Sequence, residues 1–93
     1  MSTQIRKRED VDPEEGLRDY GDVEFADPVN HKYPIDNPEH ILAAWRYIHQ
    51  ERNRDEYSDD EVRLIEDRIV QAASEHGMDV WEDSWGTHIG EPD

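Results

Sequence analysis

Histidine and carboxylate side chains are the first candidates for chemistry, because they supply many of the ligands of protein metal sites. The chain has five histidines and 25 acidic residues. No two histidines lie four residues apart, and the motif His-Glu-x-x-His is absent from the sequence. His40 and His49 are nine residues apart, which places them on opposite sides of a helix. The sequence therefore predicts neither a metal ion nor a cofactor.

Catalytic side chains do not emerge from the sequence pattern either. General acid–base catalysis needs a carboxylate in a desolvated pocket, and a chain of 93 residues has little room for one. Ser58 and Ser84 have no recognisable base and orienting group, and Ser58 is better explained as a helix cap. Because there is no cysteine, a thiolate nucleophile is excluded. We therefore predict no catalytic residue and no enzymatic activity.

The tryptophans near the end of the chain are the remaining candidates for function. Trp81 and Trp85 lie in a segment, residues 78–93, that has five acidic residues and no lysine or arginine. Two hypotheses remain open: these side chains cap the hydrophobic core, or they anchor a protein partner, since tryptophan is enriched at interaction hot spots. The second hypothesis predicts a protein partner bound by Trp81, Glu82, Asp83 and Trp85.

The net charge of −15 is distributed over the whole sequence. Nucleic acids and anionic membranes repel such a chain, and no apolar run approaches the roughly 18 residues of a membrane helix. We therefore predict neither direct nucleic-acid binding nor membrane binding. Three explanations of the acidity remain: an ordinary acidic protein, adaptation to a high-salt cytoplasm, or imitation of a nucleic acid.

Two helices with clear start signals must position these residues. The first begins after Asn37, a suitable N-cap, with Pro38 at the first helical position. Its apolar residues follow at helical spacing and predict a helix over about residues 38–52, with a buried stripe of Ile41, Ala44, Trp45 and Ile48.

The second helix has a capping box, in which Ser58 is the N-cap and Glu61 lies three residues later. Apolar residues recur at helical spacing from Val62 onwards, and Gly77 provides the left-handed residue that ends a helix. This pattern predicts a helix over about residues 59–76.

Together these patterns predict an all-α fold, a small helical hairpin with additional packing from both sides. Residues 20–36 are expected to form an extended strap over the helices, because Pro28 and Pro34 favour extended backbone before them. The segment with Trp81 and Trp85 is expected to be either irregular or a short third helix. Residues 1–20 are polar and aperiodic, which predicts a disordered acidic arm before one domain over residues 21–90.

Several short motifs resemble a small domain of unknown function found in phage-encoded and other prokaryotic proteins. The resemblance covers about residues 25–78. It implies no activity and no catalytic residues. The motifs that carry it are Phe25-Ala26-Asp27-Pro28, Lys32-Tyr33-Pro34-Ile35-Asp36, Ala43-Ala44, Tyr47-Ile48, Ala72-Ala73 and His76-Gly77.

These observations favour a non-enzymatic interaction or accessory module of prokaryotic or viral origin. One alternative is an acidic nucleic-acid mimic that inhibits a basic DNA- or RNA-binding protein. A second alternative, which only the resemblance suggests, is an accessory protein of a phage or virus particle. The expected location is a prokaryotic cytoplasm, with a high-salt host as one explanation of the acidity, or a virion.

Overall fold

A computed structural model of the protein describes residues 5–92. These residues form four helices and four strands, arranged as two antiparallel two-stranded sheets beside the helices. The elements in chain order are α1 (Pro13–Tyr20), β1 (Phe25–Asp27), β2 (Lys32–Pro34), α2 (Pro38–Ile48), α3 (Glu51–Arg54), α4 (Asp59–Glu75), β3 (Met78–Asp83) and β4 (Gly86–Pro92).

The predicted all-α fold is therefore wrong, although both predicted helices are present. The expected strap folds back on itself, and β1 pairs with β2 in the register Phe25↔Pro34 and Asp27↔Lys32. The expected irregular segment or third helix at the C-terminus is a second hairpin, in which β3 pairs with β4. In both places, two short extended segments form hydrogen bonds with each other's backbone groups. The sequence of either segment alone does not reveal this pairing.

Helix α2 begins as predicted and ends earlier than predicted. The Asn37 side chain accepts a hydrogen bond from the backbone N–H of His40, and Pro38 occupies the first turn. At the other end, the His49 ring contacts the carbonyl oxygen of Trp45 at 2.6 Å, and the Asn53 amide donates to that of Tyr47 at 2.8 Å. These side chains occupy carbonyls of the last turn, so the helix stops at Ile48 and a short α3 follows.

Helix α4 has the predicted capping box at its start. The Ser58 hydroxyl accepts from the backbone N–H of Glu61, and the Glu61 carboxylate accepts from the backbone N–H of Ser58. After the helix, Gly77 has φ of 71°, a left-handed conformation that a glycine adopts without strain. This residue turns the chain out of the helix and directly into β3.

The hydrophobic core lies between α2, α4 and the two sheets. The predicted stripe of α2 is buried at Ile41, Ala44 and Ile48, whereas Trp45 remains partly exposed. Residues from the sheets complete this core, so the helices do not form a free-standing hairpin. The other buried members are Ile5, Ala26, Ile35, Tyr57, Val62, Ile65, Ile69, Ala72, Ala73 and Met78.

The N-terminal segment packs on the domain over its described part, residues 5–20. Ile5 is buried in the core cluster, and α1 begins at an Asp12 N-cap with Pro13 in its first turn. A Cβ atom at Gly16 would overlap the backbone carbonyl of His31, so this glycine allows α1 to approach the β1–β2 connection. The first four residues of the arm for which the sequence predicts disorder lie outside the described residues.

Candidate functional site

The C-terminal hairpin holds all four residues for which the sequence predicts partner binding. Trp81, Glu82 and Asp83 lie on β3, and Trp85 lies in the two-residue turn before β4. Trp81 is 49% exposed and Trp85 is 89% exposed. Neither tryptophan caps the core, because Val80 and the β4 residue Ile89 make that contact.

Trp81 is half-exposed but held in place. Its ring stacks on the ring of His88, its cross-strand neighbour, with centroids 5.5 Å apart and an angle of 25° between the planes. The same ring covers Gly90, where a Cβ atom would lie 3.1 Å from Trp81 Cζ3. One ring face is therefore fixed against β4, and the rest of the side chain is available to a partner.

Asp83 organises the turn. Its carboxylate accepts hydrogen bonds from the backbone N–H of Trp85 at 2.7 Å and from Nε2 of His88 at 2.9 Å. These hydrogen bonds, that of His88 first, lower the pKa of Asp83 below its ordinary value. Glu82 accepts a longer hydrogen bond, of 3.3 Å, from the Thr87 hydroxyl. Asp83 therefore holds the turn closed with two short hydrogen bonds, whereas Glu82 makes one longer hydrogen bond.

An open groove runs along the line where the hairpin meets helix α2. Two adjoining cavities, of about 680 and 350 Å³, form it, and Trp45 and Arg46 line both. The helical spacing of Trp45 predicts a place in the core stripe, and nothing in the sequence connects this helix with the C-terminal tryptophans. The further residues along the groove are Leu42, His49, Gln50, Glu66, Trp85, Gly86, Thr87, His88, Ile89 and Gly90.

The histidines and acids in the groove form local pairs. His49 Nε2 lies 3.6 Å from Glu66, which also faces Arg54 at 3.7 Å, and the His49 ring lies 4.4 Å from the Trp45 ring, measured between centroids. Across residues 5–92, no group of three or more histidine or acidic side chains is placed to hold a metal ion. The groove therefore presents aromatic rings flanked by compensated charges.

A second cluster of polar side chains lies in the interior, centred on Asp27. This side chain is fully buried. Its Oδ1 accepts from the backbone N–H groups of Val29 and Asn30, at 3.1 and 3.0 Å. Its Oδ2 accepts from the Asn30 amide at 2.8 Å and from the Tyr57 hydroxyl at 2.7 Å. Four donors thus converge on one carboxyl group.

The N-terminal arm attaches to this cluster through its backbone. The N–H of Arg8 donates to Asn30 Oδ1 at 2.6 Å, and Asn30 Nδ2 donates to the carbonyl oxygen of Arg6 at 2.9 Å. The N–H of Arg6 donates to Glu61 Oε2 at 2.7 Å. Burial alone would raise the pKa of Glu61, but the backbone N–H groups of Arg6 and Ser58 outweigh it and keep the pKa below the ordinary value.

The side chains of Arg8 and Tyr57 close this cluster. The guanidinium lies 5.1 Å from the centroid of the Tyr57 ring and 2.6 Å from Asp10. Burial lowers the pKa of Arg8, yet hydrogen bonds to Asp10 and Tyr57 raise it above its ordinary value. Burial and the hydrogen bond to Asp27 raise the pKa of Tyr57 strongly, which keeps its hydroxyl protonated as a donor.

This interior cluster holds the arm in place and offers no free group to a substrate. Among the described residues, every buried side-chain nitrogen and oxygen has a hydrogen-bond partner. The sequence patterns described above do not predict this cluster. The signal that would have found it is Asp27-Pro28 followed by Asn30, residue types that favour a turn closed by an aspartate side chain.

A family of unknown function (DUF6582) matches residues 1–83. The chain belongs to this family. The resemblance to a domain of unknown function is thus confirmed, and the DUF6582 match extends beyond the expected 25–78, over the N-terminal arm and the whole of β3. Neither a curated protein nor a solved structure matches the chain.

The DUF6582 match ends at Asp83, so it includes Trp81 and excludes Trp85 and β4. It includes all members of the buried Asp27 cluster. None of the helices among residues 5–92 is both long and apolar enough to cross a membrane.

Proposed function

We propose that this chain is a non-enzymatic interaction module that binds a protein partner through its C-terminal hairpin and the adjoining flank of α2. The observation that carries the proposal is the exposure of Trp85, 89%, beside the half-exposed Trp81. A tryptophan in water leaves a large apolar surface uncovered, and burial of such a side chain at an interface is strongly favourable.

The rigidity of the hairpin supports the same proposal. The turn is closed by Asp83, and Trp81 is stacked on His88. Side chains that are ordered before binding lose less conformational entropy when a partner covers them. A preorganised Trp81, together with a Trp85 whose backbone is fixed in the turn, is therefore a favourable binding surface next to an open groove.

The experiment compares the wild-type chain with the double variant Trp81→Ala, Trp85→Ala as baits for proteins from the source cell. The control is Tyr47→Ala, because Tyr47 is 50% exposed but lines a different groove with Tyr20 and Tyr33. We expect one protein that wild type and the control retain and the double variant loses. Circular dichroism of all three must show the same helix content.

Two results would contradict the proposal. A double variant that retains every partner would remove the tryptophans from the interface. A partner that binds the double variant as well as wild type and dissociates in molar KCl would be held by the net charge of −15 alone. This is the behaviour expected of a nucleic-acid mimic.

A further inference from the structure

The groove between α2 and β4 has two walls of different kinds. The wall from α2 consists of Leu42, Trp45 and Arg46 and of the C-cap residue His49, whose spacing of three, four and seven places them on one flank of the helix. The wall from β4 consists of five consecutive residues, 86–90. Side chains of a strand alternate between its two faces. A groove that meets consecutive residues therefore runs along the edge of the strand.

This edge of β4 has backbone groups without a partner. Across residues 5–92, no backbone hydrogen bond joins residues 86–90 to any element other than β3. Asp83 and Gly86 flank a two-residue turn, so their backbone groups form hydrogen bonds with each other. Further from the turn, the cross-strand pairs alternate between non-hydrogen-bonded and hydrogen-bonded pairs. The alternation directs the N–H and C=O groups of Thr87 and Ile89 away from β3, towards the groove.

We propose that an extended segment of a partner protein pairs with β4 as a third strand in this groove. The inference rests on the proposed function, because it names the kind of partner that the same surface takes. An exposed strand edge complements an extended backbone and no other secondary structure. Residues 86–90 provide about 16 Å of edge, at roughly 3.3 Å per residue, enough for a segment of about five residues.

The side chains of the groove specify the chemistry of that segment. Trp45, Leu42 and Ile89 offer apolar contacts on one side of an added strand, which favours apolar residues at every second position of the partner. Arg46 and Glu66 are the formal charges of the groove and cancel each other. The charge preference for the segment is therefore set by the net charge of the whole chain, −15. The remaining positions of the segment are expected to be basic.

The probe is a displayed library of random peptides, selected on the wild-type chain and then synthesised. The diagnostic variant is Thr87→Pro, which removes one outward N–H and no hydrogen bond to β3. The control is Thr87→Val, which keeps that N–H and also lacks the hydroxyl. We expect Thr87→Pro to weaken the selected peptide about tenfold or more, because a backbone donor is lost, and Thr87→Val to bind as wild type does.

Amide hydrogen exchange on the wild-type chain provides a test that needs no variant. Added peptide should slow exchange at Thr87 and Ile89, while the amide of His88, which already faces β3, changes little. A peptide that binds without protecting Thr87 and Ile89 overturns the inference. So does a library that yields no peptide.

The remaining outcomes separate this inference from the proposed function. A peptide lost with Trp85→Ala but retained by Thr87→Pro leaves the proposed function intact and overturns strand addition. Sedimentation equilibrium tests the other occupant of the edge. A dimer of the wild-type chain that Thr87→Pro abolishes would show that a second copy fills the groove, which also overturns the inference.

Discussion

The interior cluster around Asp27 and the C-terminal hairpin are built from the same kinds of residue but differ in their exposure to water. Each combines an acidic side chain, an aromatic ring and a cationic or imidazole group: Asp27, Tyr57 and Arg8 in one, Asp83, Trp81 and His88 in the other. In the interior, the Asp27 carboxyl is fully buried. In the hairpin, Asp83 and both tryptophans remain in contact with water.

This contrast shows how environment decides the role of a polar and aromatic cluster. A buried polar group without a hydrogen bond is costly, so the interior cluster is complete and holds the arm. The aromatic rings of a hairpin on the surface need no hydrogen-bond partners. What remains uncovered there is apolar ring surface. The first region stabilises the fold, and the second region leaves apolar surface exposed, which we propose a partner covers.

The largest effect is expected where the comparison predicts a purely structural role. Asp27→Ala leaves the Tyr57 hydroxyl, the Asn30 amide and two backbone N–H groups without their acceptor. We expect a loss of about 3–5 kcal/mol in the free energy of unfolding, the usual cost of breaking a buried polar network. Urea unfolding followed by circular dichroism measures this loss.

The control for Asp27→Ala is Asp10→Ala. Asp10 binds the same Arg8 but lies in solvent, where an ion pair contributes at most about 1 kcal/mol. Equal effects of the two substitutions would show that the buried cluster is not what attaches the arm, and the distinction between the two regions would fail on its structural side.

The acid response of the interior cluster is the next largest effect. The pKa of Glu61 is held below its ordinary value of 4.5 in the folded chain. Its contribution to stability is therefore complete above about pH 5 and is lost as the pH falls through the folded-state pKa. In Glu61→Gln, we expect stability at neutral pH to fall by about 1 kcal/mol, the usual value of a cap.

The pH series of unfolding free energies must therefore be flatter for Glu61→Gln than for wild type below about pH 5. The matched variant is Glu66→Gln, since Glu66 lies on the same helix and its ion pairs within residues 5–92 are long, at 3.6 Å to His49 and 3.7 Å to Arg54. Parallel curves for wild type and Glu61→Gln would indicate that the arm does not engage this carboxylate.

The sequence predicts the starts of α2 and α4 correctly, because a capping residue at the start of a helix has a single physical role. The N-cap at Asn37 and the capping box at Ser58 are where the sequence predicts them, because each cap depends on local hydrogen bonds alone. The same signature occurs at Asp12-Pro13, where α1 begins. This signature alone does not predict a helix, because α1 has no buried residue and no apolar stripe accompanies the cap.

The strands were not predictable from the same kind of evidence. Each of β1 and β2 has three residues, too few to show an alternating pattern. In the C-terminal segment, the spacing of Trp81 and Trp85 allows a short helix or an irregular segment, and the structure has neither. The informative pair was instead Met78 and Val80, two residues apart, of which Met78 is buried and Val80 packs against the core. Pairing partners distant in sequence decided the structure of both segments.

A moderate effect is expected at the fixed tryptophan of the hairpin. Trp81→Ala removes the stack on His88 and uncovers Gly90, and cross-strand pairs of this kind contribute roughly 0.2–1 kcal/mol. We expect a loss of that size, with the helix content unchanged. A double-mutant cycle with His88→Ala measures the pair directly, and a coupling energy near zero would mean that Trp81 is not preorganised.

The smallest effect on stability, and the sharpest test of the comparison, is expected for Trp85→Ala. Trp85 is 89% exposed, and surface substitutions of this kind usually change the unfolding free energy by less than about 0.5 kcal/mol. If the side chain serves recognition, the same substitution should weaken a bound partner by about 2 kcal/mol or more, as hot-spot tryptophans do. Trp85→Phe, which keeps an aromatic ring, should retain much of that affinity. The two regions would then differ in what they support: Asp27→Ala lowers the stability of the fold, whereas Trp85→Ala weakens binding and leaves stability intact. A loss of more than about 1 kcal/mol in Trp85→Ala would mean that the ring is packed in solution, and the hairpin would then belong with the interior cluster as part of the scaffold.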